Sequence, residues 1–133
     1  MVPPAPDIDL VAASLRADAG DLRVYVEGLA RKLERSFPGL CKVRRSGVLG
    51  KRPIREITIA LGDGRYELEH HDGAVVARRS SVVRGISLKS EELGLDQWID
   101  SLASHMLEEA ERTERGRLAL ENLLTRVPNE EAT

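Results

Sequence analysis

The side chains best suited to acid–base, nucleophilic or metal chemistry are few in this 133-residue chain: three histidines and one cysteine. His70 and His71 are neighbours in a stretch that reads as a strand, where successive side chains point to opposite faces, so without a bulge they cannot share one metal ion. A metal site would need Cys41 or His105 brought to them by the fold, and nothing in the spacing asks for that. Cys41 is flanked by Lys42 and Arg44, a setting that can lower a thiol pKa. It also alternates with those charges as an inward strand position should, and free cysteine packs as a small hydrophobe, so core is the expectation. Asp96, Asp100 and His105, with serines nearby, have the residue types of a triad but no spacing that separates them from ordinary helix-end acids. Gly62-Asp63-Gly64-Arg65 reads as a hairpin turn rather than a phosphate loop. The chain contains no Walker-type glycine loop, GxGxxG, HExxH, GxSxG or CxxC. The expectation is a protein without catalysis, cofactor or metal.

The basic residues are the stronger signal. Arg44, Arg45, Lys51, Arg52 and Arg55 cluster around the first strands and their loop, and Arg78, Arg79 and Arg84 lie in later strands. Guanidinium groups make bidentate contacts with phosphate or carboxylate. If several of these project from an uncovered sheet face, they form an anion-binding or nucleic-acid-binding surface. The competing expectation is a solvated face on which they pair across strands with Glu56, Glu67 and Glu69. Residues 41–89 carry 11 Lys+Arg against 5 Asp+Glu, and residues 90–133 carry 4 against 11. That acidic C-terminal part would repel a nucleic-acid backbone unless it lies on the far side. The one Phe, one Trp and two Tyr, at Phe37, Trp98, Tyr25 and Tyr66, all fit inward positions, which leaves no stacking platform for bases.

Periodicity supplies the elements that would carry these groups. Residues 1–7 are proline-rich and read as a flexible tail. Leu15, Ala19, Leu22, Val26, Leu29, Leu33 and Phe37 form one helical stripe, which Gly20-Asp21 could divide into a short helix and a main one ending before Pro38. From residue 40 the period becomes two, with strands around Cys41 and Val43, Ile57 and Ile59, Tyr66 and Leu68, Ala74–Ala77, and Val82–Leu88 with a bulge at Gly85. Short turns make them an antiparallel meander of four to five strands. Leu95, Trp98, Ile99, Leu102, Met106 and Ala110 then begin a long helix, with Asp96 suited to its N-terminus. Trp98, Leu102, Met106, Ile57, Ile59, Leu68, Leu29 and Leu33 are the expected core anchors.

A helix from Leu95 to Arg126 would be about 48 Å long, against a diameter near 36 Å for a compact domain of this size. Either it breaks near Gly116, or its end protrudes and exposes Leu118, Leu120, Leu123 and Leu124 to a partner, most simply a second copy. The fold class is α+β, with an N-terminal helix and a long C-terminal helix on one face of the sheet and the other face open. One domain over residues 8–126 is expected, followed by a disordered tail over 127–133. The helix–meander–helix order resembles two groups of small bacterial dimers, the secretion chaperones and the YbaB-type nucleoid-associated proteins, in layout alone. Arginine outnumbers lysine sixteen to four, a bias typical of high-GC bacterial genomes. A single cysteine, no apolar run of about 20 residues and no secretory leader suggest the cytoplasm. The functional expectation is a homodimeric interaction module of the chaperone, adaptor or assembly-factor kind, whose partner is itself, another protein or both. The alternatives are a nucleic-acid-binding module using the basic strands and a small-ligand-binding protein.

Overall fold

A computed structural model describes residues 8–16, 22–46, 53–71 and 73–124. Two helices, α1 (Ile8–Arg16) and α2 (Leu22–Ser36), precede five strands, β1 (Cys41–Arg45), β2 (Ile54–Leu61), β3 (Gly64–His71), β4 (Ala74–Val83) and β5 (Ile86–Leu93), and two further helices follow, α3 (Leu95–Arg112) and α4 (Glu114–Leu124). The strands form one antiparallel sheet in the order β1-β2-β3-β4-β5. Short turns of the Gly62-Asp63 kind permit only neighbour pairing, and a meander is the result. The proline-rich tail, the Gly20-Asp21 interruption and the end beyond Leu124 lie outside the described residues.

Alternation along β2 and β3 turns Ile57, Ile59, Tyr66 and Leu68 into one buried set, joined by Ala77 of β4 and packed with Leu29 and Leu33 of α2 and Leu102 and Met106 of α3. Helix α2 lies against β1 and β2, and α3 against β2 and β4. Trp98 is 0% exposed. Its indole N–H donates to the Arg78 carbonyl at 3.1 Å, and its ring meets Tyr66 edge-on, with centroids 6.1 Å apart. The Tyr25 hydroxyl donates to the Leu15 carbonyl at 2.9 Å and so ties α2 to the end of α1.

Two sequence expectations are corrected here. The C-terminal helix is not continuous and its end does not protrude. It breaks at Thr113, whose hydroxyl donates to the Glu109 carbonyl at 3.1 Å and accepts from the Gly116 N–H at 2.9 Å. One side chain thus closes α3 and caps α4. Helix α4 folds back on α3 and α2, and Gly116 makes this possible: a Cβ there would lie 2.4 Å from the Glu109 carbonyl oxygen. Thr113→Ala should cost about 1 kcal/mol, the usual worth of an N-cap. Gly116→Ala should cost more, about 1–3 kcal/mol, because backbone must move. Thermal unfolding of the two variants checks that order.

The second correction concerns the sheet edge. Gly85 is not a bulge inside a last strand. Arg84 and Gly85 have φ of 54° and 80°, and positive φ at both central positions is what a type I′ hairpin turn requires. The chain therefore reverses there, β5 runs on to Leu93, and the register shift falls at Ser81/Val82. At the start of α3, Gly94 is the N-cap and the Gln97 side chain accepts from its N–H at 3.2 Å, while Asp96 lies in the first turn.

Candidate functional site

The sheet face away from the core carries rows of charge set by the register. Arg44 stands opposite Glu56, Glu56 opposite Glu69, and Glu67 between Thr58 and Arg78. Most of the arginines expected to hold anions hold carboxylates of their own chain. Arg45 grips Glu27 of α2 with two bonds of 2.8 and 3.1 Å, Arg78 bonds Glu69, and Arg44 lies 3.8 Å from Glu56. These hydrogen bonds raise the Arg45 and Arg78 pKa values above the ordinary range, Glu27 and Glu69 being the first causes. Arg79 lies over the Tyr66 ring, 5.8 Å from its centroid. Arg55 and Arg84 are exposed, and Lys51 and Arg52 lie outside the described residues. The fold therefore distributes these eight residues instead of assembling them into one patch.

Cys41 is half-buried. Burial, with Glu34 adding to it, pushes its thiol pKa up to about 12 from the usual 9.0. Three units remove about a thousandfold of the thiolate at pH 8, so Cys41 is packing and not a nucleophile. Alkylation by iodoacetamide should be correspondingly slow in the folded protein and rise with pH to near 12. A rate at pH 8 equal to that of a free thiol would contradict this assignment.

At the end of α3 the structure builds a cluster that the sequence concealed. His105 is buried, and its Nδ1 lies 3.0 Å from the Tyr66 hydroxyl, which is in turn 3.3 Å from the Ser101 carbonyl. Its Nε2 lies 3.8 Å from Glu109 one turn on and 3.8 Å from Asp63 in the β2–β3 turn. Both glycines of that turn touch the cluster: a Cβ on Gly62 would meet Glu109 Oε1 at 2.6 Å, and one on Gly64 would meet His105 Cε1 at 2.9 Å. Glu109 and Gly62 line a cleft of about 260 Å³ with Phe37, Leu40, Thr113 and Gly116. An adjoining cleft of about 390 Å³, sharing Phe37, Leu40 and Arg115, runs between the end of α2 and α4 past Leu118 and Ala119. The expectation of a chain without catalytic apparatus is corrected on this finding. An imidazole, a phenol and two carboxylates, the groups of general acid–base and metal-assisted chemistry, converge beside a cleft. Motif scanning passed over them because they come from a turn, a strand and a helix. The signals present were His105 and Glu109 at i,i+4 and the glycines flanking Asp63.

The remaining feature is the sheet's edge. Strand β1 is short and backed by α2, and Arg45 bonds that helix. The other edge, β5, is exposed from Ile86 to Glu92. Ile86 is 63% and Leu88 65% exposed, with Val83 beside them in the hairpin. This, not α4, is the bare apolar surface: Leu120 and Leu123 are buried in their own chain, Leu124 is half-buried, and Leu118 is 47% exposed in the wall of the cleft. No family model, curated protein or solved structure matches the chain. Among the described residues no helix is long and apolar enough to cross a membrane.

Proposed function

We propose that the chain is a protein-interaction module that pairs with a second copy of itself through β5 and serves as a chaperone, adaptor or assembly factor. One observation carries the reading: a fully exposed edge strand of eight residues, Ile86–Leu93, next to exposed Val83. Such an edge presents unpaired N–H and C=O groups to any strand that can match it. A two-fold axis normal to the sheet keeps side chains on their own face, so a symmetric antiparallel pair must be centred on a residue. Centring on Lys89, Glu91 or Glu92 sets like charges against each other. Centring on Leu88 gives no charge pair and falls where the register shifts opposite Ser81/Val82. Centring on Ser90 sets Lys89 opposite Glu91 twice, and the five-stranded sheet is doubled.

Each opposite pair contributes roughly 0.2–1 kcal/mol and each like pair costs a similar amount. Lys89→Glu or Glu91→Lys alone should therefore weaken the dimer by about 1–4 kcal/mol, on the order of ten- to several-hundred-fold in Kd. The double swap should restore it, as should mixing the two single variants. Light scattering after size exclusion is expected to give about twice the 14.7 kDa chain mass for the wild type. A wild-type monomer, or single variants as dimeric as the wild type, would remove the proposal. A cytoplasmic setting fits a chain whose single cysteine is an inert thiol. The pairing of Arg44, Arg45 and Arg78 with carboxylates weighs against the nucleic-acid alternative.

A further inference from the structure

Independently of the dimer, the geometry points to a site for a divalent transition ion of the zinc type, held by His105 Nε2 and the carboxylates of Glu109 and Asp63. The His105 side chain is 8% exposed, and its Nε2 has Asp63 Oδ1 and Glu109 Oε1 each 3.8 Å away. That distance is too long for a hydrogen bond. It suits two ligands each about 2.0–2.2 Å from a shared ion. The opposite ring nitrogen fixes what faces the carboxylates. With the Tyr66 hydroxyl donating to the Ser101 carbonyl at 3.3 Å, His105 Nδ1–H donates to the Tyr66 oxygen at 3.0 Å. Nε2 then presents a lone pair to two carboxylates, and three acceptors converge on a point that lacks a cation. An imidazole whose far N–H is held by an oxygen is also the usual arrangement of a metal-bound histidine.

Local backbone has been shaped around this point. Gly62, at φ +58°, lies where a Cβ would meet Nε2 at 3.2 Å and Glu109 Oε1 at 2.6 Å. No other residue would let the turn carrying Asp63 come down onto α3. Arg112 Nη1 is 3.5 Å from Glu109, but its side chain is 72% exposed and free to swing away. Three protein ligands beside a cleft of about 260 Å³ leave room for water or a substrate at a further coordination position. The chief rival is the Glu56, Glu67 and Glu69 trio on the sheet face, with oxygens within 4.8 Å of one another. Its members already have cations in Arg44, Arg65 and Arg78.

Titration of the metal-free protein with Zn²⁺ by calorimetry, and with Co²⁺ by its visible absorption, tests the assignment. One ion per chain is expected. His105→Gln and Glu109→Gln should abolish saturable binding, and Asp63→Asn should weaken it. Tyr66→Phe, which removes the oxygen fixing Nδ1, should cost about 10–100-fold in affinity. Glu67→Gln should change nothing. Asp63 is 85% exposed in its turn, so Asp63→Asn keeps the test decisive even if the buried variants unfold. Absence of saturable binding by the wild type would overturn the site. So would a folded Asp63→Asn protein of undiminished affinity, or binding lost in Glu67→Gln instead.

Discussion

Trp98→Ala should destabilise the protein by about 3–5 kcal/mol, the usual cost of truncating a buried aromatic. That is a large share of the roughly 5–15 kcal/mol that holds a domain together. The indole is completely buried, bridges α3 to the β4 backbone through its bond to the Arg78 carbonyl, and meets Tyr66 edge to face. Truncation leaves a cavity, removes that donor and frees the Tyr66 ring that braces His105. Urea unfolding followed by circular dichroism should show the midpoint fall sharply, and the wild type's single-tryptophan emission should be blue and shielded from iodide. A freely quenched, red-shifted emission would mean that α3 presents its other face to the sheet.

The parts of this fold that were legible in the sequence are those where burial imposes a period. Ile57, Ile59, Tyr66 and Leu68 alternate because one side of β2 and β3 faces helices, and Gly62-Asp63-Gly64 announces the turn between them. Strand β5 has no such pattern, because Ile86–Glu92 is exposed and no core selects its alternation. Its turn was hidden as well, since arginine is uncommon at the positive φ that Arg84 adopts. The break at Thr113 escaped for the opposite reason. Met106, Ala119, Leu120 and Leu123 are buried in one core on both sides of it, so the apolar stripe resumes beyond the break. Thr113 followed by Glu114 was the readable sign, a capping hydroxyl with an acid at the first helical position. The cluster at His105 was legible only in pieces, because adjacency of Tyr66, Asp63 and Glu109 is created by the hairpin lying across α3.

Pairing through β5 rests on a register, and a register can be read chemically. Ser90 is the residue that meets its own copy on the two-fold axis. Antiparallel partners are about 4.5–5.5 Å apart at Cα, within the 4.4–6.8 Å that a disulfide spans. Cys41, with its thiol held up near 12, should stay silent in such an experiment. Ser90→Cys should therefore cross-link rapidly and almost completely under mild oxidation, giving a reducible band of twice the chain mass. Ser87→Cys, opposite Leu93 in that register, should cross-link poorly. A Ser90→Cys protein that stays monomeric under oxidation, or that cross-links no faster than Ser87→Cys, would contradict the β5 dimer.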